Sequence, residues 1–324
     1  MRRRNALLAL SIAPLALWRA AGAREPGRIP VVGIVRGSAF DPNDPSRPPF
    51  MQGLRELGYE DGRNIKIESR YAEGHAERIP SIAAKFVEDK VDIIMTPNEP
   101  ALRAAKAVTK TIPIVFLAWD YDPLAVGLID SLSRPGANVT GVSLLQTQLM
   151  AKRLELLKET LPTTRRVLVF WDAFGRKQLE ELEPAARALN IELRSVEIRN
   201  VTTFSELLGQ YRPRADAAVF LYSPALFVPR ANVAAAALQV GLPTVFQEPW
   251  FTTAGGLLSY GPDLSEAMRR VTYLIDRLLK GTPPAALPVE QIAKFHLAIN
   301  LKTAKALGIR IPETVMVRAD EVIQ

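Results

Sequence analysis

The segment DIIMTPNEPALRAAKAVTKTIPIVFLAWDYDP, residues 92 to 123, runs through strand, polar loop and helix and then starts the same series again. Val91 to Met95 has the length and β-branched content of a buried strand. Pro100 to Val108 follows helical spacing, with its proline at a first helical position where a missing N–H is harmless. Ile112 to Ala118 reads as the next strand, and after WDYDP the apolar stretch Leu124 to Leu132 again has helical spacing. Units of this kind restrict a chain to parallel sheets with crossover helices. Open parallel sheets collect ligands beyond the carboxyl ends of their strands. Asn98, Glu99, Trp119, Asp120 and Asp122 fall at such ends and become candidates for a binding site.

The same alternation fills the rest of the chain. IPVVGIVRG, residues 29 to 37, is a strand ending in turn residues, FMQGLRELG a short helix closed by Gly58, and NIKIESRYAEG an alternating strand. A helix, RIPSIAAKFVED, leads back to the strand at 91. A second series begins near 165 with the strand RRVLVFW and continues through KQLEELEPAARALN, IELRSVEI, TFSELLGQY, ADAAVFLYS, NVAAAALQVG and LPTVFQE. Two doubly wound α/β lobes follow. Between them, SRPGANVTGVSLL gives a turn and a short strand, and a helix runs from about Thr147 to Leu161. So little slack reads as a hinge. An amphipathic helix, Ser265 to Leu279, and the stretch from 287 onward exceed what the second lobe needs, so the chain is expected to cross between lobes more than once.

Composition removes several classes of function. A chain of 324 residues with 48% hydrophobic and 23% charged residues is globular and long enough for two domains. The net charge is +7, but Arg2, Arg3, Arg4 and Arg19 supply four of those charges within the first 23 residues, leaving +3 for the remainder. No basic stripe is available to offset phosphates, so no nucleic-acid partner is expected. The first residues carry the marks of an export signal: basic MRRR, apolar ALLALSIAPLALW, and the small residues AGA ending at Ala23. Cleavage after Ala23 and a periplasmic location are expected; an uncleaved membrane anchor is the alternative, although the apolar run is short and broken by proline. The chain has no cysteine, hence no lipid-attachment thiol and no disulfide framework. Stable membrane insertion is not expected.

Enzyme signatures are missing as well. There is no Gly-x-Ser-x-Gly elbow, no Walker A pattern and no Gly-x-Gly-x-x-Gly after a strand. With two histidines and no cysteine, no metal site, no cofactor and no catalytic residue is expected; His75 and His296 read as surface or structural residues. Asp120 and Asp122 keep a carbohydrate hydrolase open as a minor reading.

Several segments carry a resemblance: FMQGLRELGYEDGRNIKIESRYAEG, SRPGANVTGVS, KRLELLKETLP, GGLLSYGPDL, LKGTPPAALPVEQIAKFHLAINLKTAKALGIRIP and VRADEVI. In this order they resemble the ABC-transporter substrate-binding family with tryptophan- and tyrosine-binding members, within the type I periplasmic binding proteins. The likeness runs from about Ile29 to Ile323. It implies two Rossmann-like lobes joined by about three crossovers, a small solute held in the cleft, and delivery to a membrane permease by a monomer. Residues 24–143 with 262–286 would form the first lobe, and 144–261 with 287–324 the second. A sensor that docks on a membrane kinase or chemoreceptor would use the same closure and stays open as an alternative.

The candidate site follows from strand ends in both lobes. Trp119, Trp171 and Trp250, with Tyr222, Phe174 and Phe40, are positioned either to sandwich a flat ligand or to pack loops onto the lobes. Glu99, Asp120, Asp122, Asp172 and Glu248 read as acceptors for ligand amines or hydroxyls, or as helix caps. Arg36 suits a ligand carboxylate or one of these acids; Ser38 and Ser223 are neutral donors or turn residues. The family pattern usually has a small GTP-like triplet where this chain has Asn98-Glu99-Pro100, and an Asn-Pro where it has Asp172-Ala173. Glu99 at a helix N-terminus would repel a ligand carboxylate. The expected solute is therefore aromatic or amphipathic, amino-acid-like, and stacked between Trp119 and Trp171.

Overall fold

A computed structural model describes residues 28–119, 121–172, 174–198 and 204–324. The expected leader, residues 1 to 23, and the candidate Asp120 lie outside the described residues. Two sheets organise the chain. The first contains β1 (Val31–Arg36), β2 (Lys66–Tyr71), β3 (Ile93–Thr96), β4 (Ile114–Ala118), β5 (Val139–Ser143) and, late in the sequence, β11 (Glu290–Gln291). All its pairings are parallel, in the order β11-β5-β4-β3-β1-β2. The second contains β6 (Arg166–Trp171), β7 (Glu192–Glu197), β8 (Ala217–Phe220), β9 (Thr244–Phe246), β10 (Leu258–Pro262), β12 (Phe295–Asn300) and β13 (Glu321–Ile323), in the order β13-β12-β10-β9-β8-β6-β7. Only β10 and β12 pair antiparallel in it.

The two-residue strand period sorts each run onto two apolar faces, as a parallel sheet covered on both sides requires. In β4, Val115 and Leu117 enter one cluster with Val32, Ile34, Ile93 and Met95, while Ile114, Phe116 and Ala118 enter the opposite cluster. In β6, Val167 and Val169 lie on one face and Leu168 and Phe170 on the other, where Phe170 stacks on Phe220 at 4.9 Å between centroids. Helices α1 (Arg47–Glu56), α2 (Ile79–Glu88) and α3 (Glu99–Val108) serve the first sheet; α4 (Met150–Thr160), α5 (Arg176–Ala188), α6 (Phe204–Tyr211), α7 (Pro224–Phe227), α8 (Arg230–Gln239) and α9 (Pro249–Thr253) serve the second. Among the described residues, no helix is long and apolar enough to cross a membrane.

Three crossovers join the sheets. Residues 144–149 lead from β5 into α4, whose Met150, Leu154 and Leu157 lie in the second sheet's core. From β10 the chain returns through α10 (Leu264–Leu279), capped by Asp263, which places Met268, Val271, Leu274 and Ile275 in the first sheet's core. The third crossover falls between β11 and β12, so the first sheet extends past residue 286, where the sequence placed its end. Leu145 holds φ 54° in the first crossover, a left-handed conformation that branched side chains disfavour.

One expected helix is absent. Leu124 to Leu132 forms turns: Asp122 Oδ1 accepts the amides of Leu124 and Ala125, the Pro123 carbonyl accepts those of Leu128 and Ile129, and Gly127 has φ 67°. Local side-chain capping and a left-handed glycine defeat a pattern that is helical only in its apolar spacing.

Strand spacing in the first sheet depends on Gly141. A Cβ there would stand 2.3 Å from the Phe116 carbonyl oxygen on β4, backbone that has nowhere to go. Gly141→Ala is expected to lower stability by about 1–3 kcal/mol, read as a lower urea midpoint with an unchanged slope.

Candidate functional site

The carboxyl ends of both sheets meet around a cavity of about 720 Å³, its open mouth included. That is the setting of a small-molecule site. From the first sheet come Arg36 at the end of β1, Gly37 and Ser38 just after it, Ser46, Pro97 and Trp119. From the second come Tyr222 and Ser223 after β8, Phe227 on α7, Gln247 and Glu248 after β9, and Trp250 on α9.

Strand parity explains which aromatic reaches it. Trp119 follows β4 on the same face as Val115 and Leu117, one step past the last strand residue, and is 7% exposed. Its ring centroid lies 6.0 Å from that of Tyr222 and 6.1 Å from that of Trp250, and Phe227 meets Trp250 edge-on at 5.7 Å. Its Nε1 donates to Glu248 Oε1 at 2.9 Å, a hydrogen bond between the two sheets. Glu248 Oε1 also accepts from Gln146 Nε2 at 2.8 Å, while Oε2 is buried without a hydrogen-bond partner. Burial pushes the Glu248 carboxyl up to about 7 against the pull of Arg153, Trp119 and Gln146.

Arg153 stands behind Glu248. It is fully buried on α4, where its Nε donates to the Tyr260 carbonyl at 2.7 Å and its Nη2 to Gln146 Oε1. Burial lowers its guanidinium to about 9, which leaves it charged at neutral pH. Nothing in AKRLELLKET distinguishes Arg153 from its solvent-facing neighbours, so sequence reasoning missed it, along with Gln146, Gln247 and Phe227.

The loop after β1 is polar and braced. Arg36 Nη1 bonds Ser46 Oγ at 3.2 Å and pairs with Asp44 at 3.3 Å, while Asp44 accepts the Ser46 amide at 2.8 Å. Gly37 permits the approach of both sheets, since a Cβ there would be 3.0 Å from Asn98 Nδ2 and 3.5 Å from the Pro224 side chain. Asp41 reaches across to Arg230 on α8 at 2.6 Å, and Arg230 also donates to the carbonyls of Asn43 and Phe227.

Comparison with known proteins now bears on this arrangement. The family model for ABC transporter substrate binding proteins matches residues 28–323. The chain belongs to that family. A tyrosine-binding protein of Clostridioides difficile (strain R20291) is 30% identical over 278 residues, 82% of this chain and 77% of that protein. A conserved domain protein from Vibrio cholerae superposes with TM-score 0.82 at 27% identity, covering 91% of this chain and 100% of that one. An ABC domain from Streptococcus pneumoniae in complex with L-Trp superposes with TM-score 0.77 at 24% identity, over 90% of this chain and 100% of that one. The fold is that of the type I periplasmic binding proteins, and the family is one of binding proteins.

In this substrate-binding protein the candidates divide. Ser38, Trp119, Tyr222, Ser223, Glu248 and Trp250 line the cavity. Asn98 caps α3 by accepting the Ala101 amide at 2.9 Å, and its buried Nδ2 points toward Gly37 at the cavity's edge. Asp172 stands behind Ser223, accepting its hydroxyl at 2.5 Å and the Phe174 amide at 2.9 Å; burial raises its carboxyl. The structure places five others away from the wall of this cavity. Trp171 does not line the cavity: its parity matches Val167 and Val169, so it packs on the face covered by α4 and α5, under Arg176 at 5.1 Å. Phe174 is likewise not a wall of the cavity. Phe40 is 60% exposed, set edge-on against Tyr71 at 5.6 Å. Glu99 turns along α3 to pair with Arg103 at 2.7 Å and does not line the cavity. Asp122 caps the turn described above and belongs to a separate, smaller cavity beside Leu145 and Gln291.

The Asp41–Arg230 pair joins the sheets with side chains only 7% and 16% exposed. Arg230→Met is expected to lower stability by about 1.5–3 kcal/mol and to enlarge the radius of gyration of ligand-free protein in small-angle scattering. Asp41→Asn in the same background should add little, because the two groups act as one unit.

Proposed function

We propose that this chain is the exported receptor of an ABC importer, capturing an aromatic, amino-acid-like solute between two lobes and presenting the closed form to a permease. The observation that supports it most is the cavity itself: Trp119, Tyr222, Phe227 and Trp250 converge from both sheets on one space, and polar groups occupy its ends. Rings in such geometry contribute about 0.5–1.5 kcal/mol each beyond burial. The tyrosine-binding relative supports the same class of ligand. Arg36, Ser38, Ser46 and Asn98 Nδ2 form an end suited to a carboxylate, and Glu248 an end suited to a donor.

The lobes in this reading are the two sheets with their helices: the first from the start of the mature chain to 143 with 263–291, the second 144–262 with 292–324. Ligand favours the closed arrangement by touching both, and the crossovers take up the motion. The basic, apolar and small-residue series ending at Ala23 supports export and a periplasmic location.

Calorimetry with L-tyrosine and L-tryptophan tests the ligand class, with leucine and ribose as controls. Aromatic amino acids should bind, and at a hundred times the dissociation constant should stabilise the protein by about 2.7 kcal/mol. Trp119→Ala should weaken binding by roughly tenfold to a hundredfold, whereas Trp171→Ala should leave it unchanged. Equal loss in both variants, or a preference for ribose, would overturn this reading.

A further inference from the structure

Glu248 is a buried carboxylate with its two oxygens in different situations. Oε1 is saturated by Trp119 Nε1 and Gln146 Nε2, while Oε2 has no partner although the residue is 4% exposed and forms part of the cavity wall. Trp119 and Trp250 stand beside it, and Tyr222 stands beside Trp119. A carboxylate oxygen among aromatic faces is a receptor for a cation bearing N–H donors, because ring quadrupole and anion act in the same direction.

The group behind it has the complementary form. Arg153 is a fully buried cation whose hydrogen-bond partners are neutral: the Tyr260 carbonyl, Gln146 Oε1 and the Met150 sulfur. Glu248 is the acid that raises its ionisation, and Arg153 in turn favours the charged form of Glu248. Gln146 links them. Its oxygen accepts from Arg153 and its nitrogen donates to Glu248, the one amide orientation that satisfies both neighbours. The other charged or titratable groups of the cavity wall and relay are Arg36, held by Asp44, and the hydroxyls of Tyr222 and Tyr260; Asp172 is one residue removed, behind Ser223.

We infer that Glu248 is the ammonium acceptor of the cleft, selecting amine-bearing aromatic ligands over their des-amino counterparts, and that Arg153, acting through Gln146, is the positioning residue that keeps this acceptor ionised and aimed. The inference rests on the aromatic-solute reading and specifies its ligand. An ammonium placed on Oε2 lowers the Glu248 carboxyl further, so binding below its ligand-free value of about 7 must expel a proton to solvent. Affinity for an amine then falls as pH drops through that value. A des-amino ligand leaves the charge unpaired and is favoured by the protonated form, so its affinity moves in the opposite direction.

The test measures L-tyrosine, L-tryptophan and their des-amino propionate analogues by calorimetry from about pH 8 to about pH 5.5. The amino acids should bind on the order of a hundredfold tighter at the alkaline end, with opposite pH slopes for the two sets. Glu248→Gln should remove most of that preference and flatten both slopes. Arg153→Met should shift the midpoint of the amino-acid profile to higher pH, and Arg153→Lys should restore it; Gln146→Leu reads the same shift if Arg153→Met does not fold. A purely structural role would weaken both ligand sets alike with the midpoint fixed. Equal binding of amino acids and analogues with parallel slopes overturns the inference while leaving the aromatic-solute reading intact. Failure of every aromatic probe, with ribose or leucine binding instead, overturns both.

Discussion

A parallel strand buried on both faces has no place for a polar side chain until it passes its carboxyl end. That constraint organises this molecule. Val31–Arg36, Ile93–Thr96, Ile114–Ala118, Ala217–Phe220 and Thr244–Phe246 are nearly continuous apolar runs, and each is followed within three residues by polar or turn-forming ones. With two such sheets set end toward end, the displaced polar groups share one space. The cavity is thus a by-product of burying the sheets, and its chemistry is decided by a few residues that follow the last buried position of each strand.

Parity separates the residues that matter from those that only look equivalent. IVFLAW and RVLVFW both end in tryptophan, and composition alone treats Trp119 and Trp171 alike. In the first, the ring continues the face of Val115 and Leu117, which α1 and α10 cover, and past the strand end it meets Tyr222, Trp250 and Glu248; in the other it continues that of Val167 and Val169, which α4 and α5 cover, and it meets Arg176 instead. The alternation was legible in the chain, but which face would look into the cleft depends on where the helices cross. Element type was readable for the same reason, since the apolar period is strong. It failed at Leu124 to Leu132, where Asp122 and Gly127 impose turns on helical spacing.

The lining of the cavity was legible where a single strand end supplies the group, as with Trp119, Tyr222 and Glu248. It was not legible where the group depends on contacts between distant segments. Asp41 and Arg230 are 189 residues apart, and neither sits in a pattern that announces a partner. Arg153 lies in an ordinary amphipathic helix, and only the approach of the Tyr260 carbonyl and Gln146 turns it into a buried cation. Glu99 shows the converse: its position at a helix start suggested a role in the cleft, whereas Arg103 one turn later offers a nearer charge.

The buried Arg153–Gln146–Glu248 series also has a mechanical setting. Isolated charges of this kind are expensive to bury, and the cost falls when every donor and acceptor is matched. Here Arg153 and Glu248 Oε1 are matched from the crossovers, with Oε2 left open: Gln146 lies in the first of them, next to Leu145 with its left-handed backbone, and Tyr260 lies in the strand that leads into the second. Gly261 lets that strand press against the loop carrying Glu248, since a Cβ there would stand 2.0 Å from the Gln247 carbonyl oxygen. Trp119 completes the series from the opposite sheet. The carboxylate at the cavity wall therefore shares its hydrogen bonds with the crossover segments and with the opposite sheet. Under the proposed clamp motion, separating the sheets would withdraw the Trp119 donor, coupling the charge at the wall to the angle between the sheets through one oxygen atom.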